Sequence, residues 1–284
     1  MHAASWKTWI VSAVVSGAVA VGAVTATSQD AGAATDAAEV APAADVVEAV
    51  EPSTDELDAI DTVARFSVSV LDVDTGESLT YGDGTFDSAS IVKVDILAAL
   101  LHQHEVAGTT MSGTEQAQAA AMIERSNNAA ATALFEAVGG EAGLEEFNRL
   151  IGLDETDVGS NGDWGLTRTT SADQIRLLQV VFGADSVLDD DAQQYEQSLM
   201  SAVVDEQSFG VSAAADDPDD AALKVGYLRR SATGLWDVTS IGRIAADGHT
   251  YLVAVLTDGS ATLEEGAALT DDIARAAVSA TSAI

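Results

Sequence analysis

The β-type patterns of this sequence stand at its two ends, and the long stretch between them reads as helix. Arg65 to Val73 (RFSVSVLDV) alternates and is rich in β-branched residues, so a strand is expected there. Asp74-Thr75-Gly76 is a turn signal, and Glu77 to Tyr81 completes a hairpin. The next strand patterns are Trp236 to Ala246 and Tyr251 to Leu256, joined by the turn Asp247-Gly248. Between them, Phe86 to Ser90 reads as a short loop and Ile91 to His104 as a helix, with Ile91, Val94, Leu97 and Leu101 along one side. Further helices are expected over Thr114–Arg125, Asn128–Val138, Glu141–Ile151, from Thr170 or Ser171 to Phe182, and over Gln193–Val204. Gly139-Gly140 ends the third of these six, and a last helix covers Leu263 to Ala280. A doubly wound parallel sheet would need strands and helices to alternate regularly, and they do not. The fold class is therefore α+β: an antiparallel sheet built from both chain ends, with packed helices. No internal repeat is present.

The first residues do not belong to that domain. Met1 to Thr8 carry Lys7 and no acid, Trp9 to Ala26 carry no charge, and Ala31-Gly32-Ala33 fits a small-x-small cleavage pattern. Residues 1–33 are read as a secretory signal peptide or, if uncleaved, a membrane anchor. Residues 34–54 are Ala-, Val- and acid-rich without an aromatic, and are read as a flexible acidic linker. Residues 55–284 form the folded domain, long enough for a proper core. The expected location is secreted or extracellular, with the anchor as the alternative.

Composition removes several chemistries. There is no cysteine, so thiol catalysis, Cys-based metal sites and disulfides are excluded. His102 and His104 are two apart, which on a helix points them in different directions, and no His/Asp/Glu set has metal-ligand spacing. No metal and no cofactor are expected. There is no G-x-S-x-G, and with 4 His a Ser-His-Asp hydrolase is disfavoured. With 46 acidic against 12 basic residues, nucleic acid and anionic membrane surfaces are poor partners. The expected partner is a small-molecule substrate, and the protein is expected to be a monomer.

Lysine is scarce. The chain holds Lys7, Lys93 and Lys224, and Lys7 lies in the targeting segment. Lys93 follows Ser90 by three residues, in Ser90-Ile91-Val92-Lys93. If Ser90 opens a helix, the two side chains share one face, one turn apart. A serine hydroxyl becomes a nucleophile when a base takes its proton, and a desolvated lysine can be that base. A helix N-terminus also offers free N–H groups to a developing oxyanion. By itself the spacing is a weak motif. Two others follow it in order: Ser126-Asn127-Asn128, between two helices, and Lys224-Val225-Gly226, ahead of the late strands.

Ser-x-x-Lys, Ser-x-Asn and Lys-x-Gly in this order resemble the penicillin-recognising serine enzymes, the class A β-lactamases and D,D-peptidases. Leu166 to Ser171 (LTRTTS) is similar to the Thr-rich stretch that closes the Ω-loop of class A enzymes. The resemblance implies a β-lactamase/transpeptidase-like fold and a substrate that is a β-lactam or a D-Ala-type peptide. It also implies roles. Ser90 would be acylated, with Lys93 as base or as holder of its hydrogen-bond network. Ser126 would relay a proton toward the leaving nitrogen, and Asn128 would hold the substrate's amide side chain. Lys224 would set the electrostatics and orient Ser126. The N–H of Tyr227 would pair with that of Ser90 as an oxyanion hole, and Gly226 would keep substrate from being crowded along the strand.

The sequence departs from that family at three places. The Ω-loop glutamate that activates the deacylating water is missing, and Gly159 to Gly165 offers only Asp163 as an acid. Val225 stands where the family has Thr, so it cannot donate to a substrate carboxylate; Arg229 or Arg230 could supply an anion contact instead. The stretch from Ser90 to Ser126 is short, which implies a reduced all-helical subdomain. A D,D-peptidase or esterase-like cell-wall hydrolase, and a weakly catalytic penicillin-binding homologue, remain alternatives to a β-lactamase.

Overall fold

The computed structural model describes residues 53–282. The signal or anchor segment and almost all of the acidic linker lie outside the described residues. In chain order the elements are α1 (Asp55–Asp58), β1 (Arg65–Asp72), β2 (Ser78–Tyr81), β3 (Phe86–Asp87), α2 (Val92–Ala107), α3 (Gly113–Glu124), α4 (Asn128–Ala137) and α5 (Gly140–Leu150). Then come β4 (Arg168–Thr169), α6 (Ser171–Phe182), α7 (Asp190–Met200), β5 (Ala222–Arg229), β6 (Trp236–Ala246), β7 (His249–Ser260) and α8 (Leu263–Ser282).

The main sheet has the order β2-β1-β7-β6-β5, antiparallel throughout, so the strand hairpin from the start of the domain joins strands from its end. This is the α+β architecture expected from the sequence. The expected late strand pair is a trio, because Ala222–Arg229 is a strand as well. Lys224 interrupts its apolar run, which is why the segment did not read as one. The helix expected over Gln193–Val204 starts earlier, at Asp190, where the Asp189 carboxylate caps the Ala192 N–H.

Alternation along β7 builds two cores. Leu252, Ala254 and Leu256 face the layer of α2 to α7, while Tyr251, Val253 and Val255 face α8 and α1. A strand buried on both faces carries no polar alternation. On the second face, Ile273, Ala274, Ala277 and Ala280 of α8 lie against the sheet, and their small side chains let the helix come close. Gly266 is part of this, since a Cβ there would stand 2.4 Å from Val238 Cγ2.

Helix α2 differs from its expected one-sided pattern. Residues Val92 to Leu101 are all buried, because α3, α5, α6 and α7 pack around this helix. Over this enclosed stretch the polar residues lie inside, and these are Lys93 and Asp95. Among the described residues Asp95 forms no ion pair, and its carboxyl is pushed up to about 8 by burial, with Asn148 pulling the other way. Glu196 on α7 is likewise fully buried, and it is raised by desolvation and by the neighbouring Asp95.

Candidate active site

Ser90 is held in a tight turn ahead of α2 rather than as the first residue of the helix. β3 pairs with β4 through Phe86–Thr169 and Asp87–Arg168, and the chain then turns through Ala89 at φ +49° into a single 3-10 turn, Ala89–Ile91. The turn is fixed from two sides. Ser88 N–H donates to Thr167 O at 2.7 Å, and Thr239 Oγ1 of β6 donates to Ser88 O at 3.0 Å. Below it, buried Asp87 accepts from Arg168 Nη1 at 3.2 Å and from Arg230 Nη1.

One turn into α2, Lys93 Nζ meets four oxygens: Ser90 Oγ at 2.9 Å, Ser126 Oγ at 2.9 Å, Ser126 O at 2.8 Å and Asn128 Oδ1 at 2.8 Å. Two of these, the Ser126 carbonyl and the Asn128 amide oxygen, can only accept. A neutral amine has two N–H bonds and one lone pair. Its hydrogens then go to the two obligate acceptors, and its lone pair is left for a serine hydroxyl. The side chain is 0% exposed, and burial lowers its pKa from 10.5 to about 7. The Trp164 ring, with its centroid 4.9 Å from Nζ, favours the charged form. That attraction is worth about 2 kcal/mol or more in a desolvated pair, yet the pKa lies well below the ordinary lysine value, so desolvation outweighs it. Among the described residues no carboxylate is within ion-pair distance of Lys93 to restore its charge.

Ser126 reaches this lysine from a strained position. It follows α3 with φ +53°, a conformation that glycine or asparagine usually takes at a helix end. Asn127 then caps α4 by accepting from Ala130 N–H at 2.9 Å, and Asn128 occupies the first turn of α4. The motif thus divides its work: Asn127 starts the helix, while Ser126 and Asn128 face the amine.

The third motif lies on β5, an edge strand. Lys224 points to the same face as Ser90 and is 0% exposed; burial and the proximity of Lys93 depress its pKa well below the ordinary lysine value. Its ammonium does not hydrogen-bond Ser126, as the resemblance implied. It turns back to Val225 O at 2.8 Å and reaches Gln207 Oε1 at 3.5 Å. Val225 points the other way, into the core beneath α8, so its side chain cannot touch a substrate. Gly226 lies against the serine turn itself: a Cβ would stand 2.6 Å from Ser90 N, 2.6 Å from Thr239 Oγ1 and 2.8 Å from Ser88 O. Its reason is therefore the protein's own backbone rather than the substrate alone. Tyr227 is exposed at 39%, and its hydroxyl accepts from Gln207 Nε2 at 3.2 Å.

Arg230 is engaged by carboxylates, whereas, among the described residues, exposed Arg229 is held through its Nε alone. Arg230 is held by Asp87 and, at 3.8 Å, by Asp237, and Arg229 Nε donates to Gly234 O at 3.1 Å across the β5–β6 hairpin. Asp163 is exposed in the loop before β4, beside a shallow groove of about 360 Å3 lined by Trp164, Leu166 and Leu228. A larger groove, about 570 Å3 between α2 and α5, contains none of the motif residues. His102 and His104 diverge to Val187 O and Thr109 Oγ1. Asp72, Asp74 and His249 lie within ligand distance of one another at the far end of the sheet. Their oxygens there already accept from the Asp74, Thr75 and Thr250 N–H groups and face His249 Nδ1.

Sequence reasoning found Ser90, Lys93, Ser126, Asn128, Lys224 and Gly226, and the fold brings them together. It missed Thr239, Gln207 and Trp164. Thr239 was reachable as the residue opposite Gly226 in β5–β6 pairing, had β5 been recognised.

Residues 114–281, more than half of the chain, match the family described as the Beta-lactamase enzyme family. No curated protein matches. Among solved structures, a class A beta-lactamase from Bacteroides cellulosilyticus is similar at 18% identity and TM-score 0.66, over 81% of this chain and 94% of that one. A mutant of PBP-A, solved as an acyl-enzyme complex with penicillin G, is similar at 19% identity and TM-score 0.68, over 81% and 95%. A variant of the last common ancestor of Gram-negative class A beta-lactamases is similar at 24% identity and TM-score 0.61, over 76% and 92%. At these identities the likeness is one of fold.

Proposed function

Since the chain belongs to the Beta-lactamase enzyme family, we propose that it is a serine hydrolase that opens β-lactam or related amide bonds through an acyl-enzyme on Ser90. The observation that carries this reading is the Lys93 amine, buried and within 2.9 Å of both Ser90 Oγ and Ser126 Oγ. A pKa of about 7 leaves a large share of it as free base near neutrality, which is where a general base works best. Ser90 Oγ attacks the carbonyl carbon as its proton passes to Lys93 Nζ. The oxyanion is held by the N–H groups of Ser90 and Tyr227. The C–N bond then breaks, the proton reaches the leaving nitrogen through Ser126, and an ester remains on Ser90. Asn128 and Lys224 orient and stabilise the substrate, and backbone along Val225-Gly226 lies beside it.

Hydrolysis of that ester needs a base on a water, and the Ω-loop glutamate is missing. Asp163 is the acid nearest in sequence to its place, and it is exposed. This favours a second reading, in which the protein acylates readily and turns over slowly, as a penicillin-binding or D,D-peptidase-like homologue. Mixing the protein with excess penicillin and weighing it intact at timed intervals tests both. Steady turnover supports the lactamase reading, an adduct lasting minutes supports the second, and no adduct with no turnover overturns both.

The uncharged run Trp9 to Ala26 after Lys7 supports action outside the cytoplasm, as a secreted or membrane-held protein. Fractionation that finds the full-length chain in the cytosol would overturn this.

A further inference from the structure

We propose that Trp164 is a positioning residue whose indole covers the Lys93 amine and keeps water from it. The inference concerns the lysine that the proposed function uses as base and rests on that reading for its catalytic meaning. Three observations carry it. The ring centroid lies 4.9 Å from Nζ, and Lys93 is 0% exposed although its amine sits in a site meant to admit substrate. The indole N–H is occupied: it donates to Thr132 Oγ1 at 3.2 Å. The ring therefore offers the amine its face and no donor. Thr132 lies on α4 four residues after Asn128, on the same side of the helix, so one surface of α4 anchors the cover and supplies an amine contact. The backbone beneath the ring is pinned too. Thr167 N–H and Thr167 Oγ1 both donate to Trp164 O, at 3.1 and 2.7 Å.

Among the described residues, the groups facing the amine are Ser90 from the turn before α2, Ser126 and Asn128 from the α3–α4 junction, Trp164 from the loop, and the ionisable Lys224 from β5. Lys224 opposes charge on Lys93, and none of the others is ionisable. Removing the ring also removes its own attraction for the ammonium, but it admits water, which favours the ammonium more strongly, and no carboxylate among the described residues takes the ring's place.

Lysine scarcity makes this directly measurable. Lysine labelled with carbon-13 at Cε gives signals from Lys7, Lys93 and Lys224 alone, and a Lys93→Met protein identifies the one that matters. Titrating the wild type should give a Lys93 midpoint near 7. Trp164→Ala should raise it by about one unit or more, and Trp164→Phe, which keeps an aromatic face, should stay close to the wild type. Should Trp164→Ala not fold, Trp164→Leu keeps apolar packing while uncovering part of the amine, and the same rise is expected of it. An unchanged midpoint in the folded variant overturns the proposal. Penicillin labelling measured in parallel separates the two claims. A shifted midpoint with no labelling of the wild type overturns the function and leaves the cover standing. Labelling with an unshifted midpoint does the reverse.

Discussion

The backbone nitrogen of Ser90 stands 2.6 Å from the point where a β-carbon on residue 226 would be. The edge strand and the Ser90 turn thus touch backbone to backbone, and Gly226→Ala must push them apart. Displacing the Ser90 N–H from an oxyanion should lower the acylation rate by about 10²–10³-fold, and overpacking should destabilise the domain by about 1–3 kcal/mol. Labelling kinetics and thermal unfolding check the two effects separately.

Ser90→Ala should abolish covalent labelling by a fluorescent penicillin. Lys93→Ala should leave the serine in place and slow labelling by about 10²–10⁴-fold, the worth of a general base. Undiminished labelling of the Ser90→Ala protein would remove Ser90 from its role.

Asp163 is exposed and forms no ion pair with Lys93, so Asp163→Asn should leave the lifetime of a penicillin adduct unchanged in timed intact-mass measurements. Steady turnover that disappears in Asp163→Asn would instead make Asp163 the deacylating base.

Asp95 gives the fold a pH dependence. Its carboxyl stays protonated in the folded protein up to about pH 8, whereas in the unfolded chain it ionises near its ordinary value of 3.8. Below pH 4 both states hold the proton and the group contributes nothing. Between these limits the unfolded state releases a proton that the fold retains, so stability falls as pH rises. Asp95→Asn should therefore stabilise the domain at pH 8 by a few kcal/mol, on the order of 2–4, and change little at pH 4. Urea unfolding at the two pH values checks this, with a remaining slope from Glu196, whose carboxyl is raised for the same reason.

The paired arginines should separate cleanly. Arg230→Ala leaves buried Asp87 with Arg168 alone and should cost about 1–3 kcal/mol. Arg229→Ala removes an exposed contact to Gly234 O and should stay within about 0.5 kcal/mol. Thermal unfolding of the two variants side by side is sufficient.

Periodicity and residue type made most of the sheet and most helices legible: β1 and β6 are rich in β-branched residues although both are buried on both faces, and the amphipathic helices bury one side. Periodicity alone failed where the environment has no wet side. α2 reads as one-sided from Ile91, Val94, Leu97 and Leu101 but is enclosed all round from Val92 to Leu101, and the β5 pattern is interrupted by Lys224. The motifs gave the residues around the amine because Ser90 and Lys93 are related by helical spacing alone. Trp164 carried no such signal: its place above Lys93 depends on a loop path set by Thr132 and Thr167, contacts that no local pattern announces. The orientation of Lys224 toward Val225 O was equally invisible, since it depends on which acceptor lies nearest in three dimensions.

The strand order β2-β1-β7-β6-β5 places β1, the first long strand among the described residues, against β7, the last. Arg65 and Asp258 close this seam at 2.6 Å. A ribosome making this chain delivers β1 long before β7 exists, so the sheet cannot assemble vectorially during synthesis. Such high contact order slows folding and leaves unpaired strand edges exposed in the meantime. A nascent chain that stops before His249 has an open edge on β1 and an apolar sheet face without α8, and it should be a target for chaperones and proteases until β7 and α8 emerge.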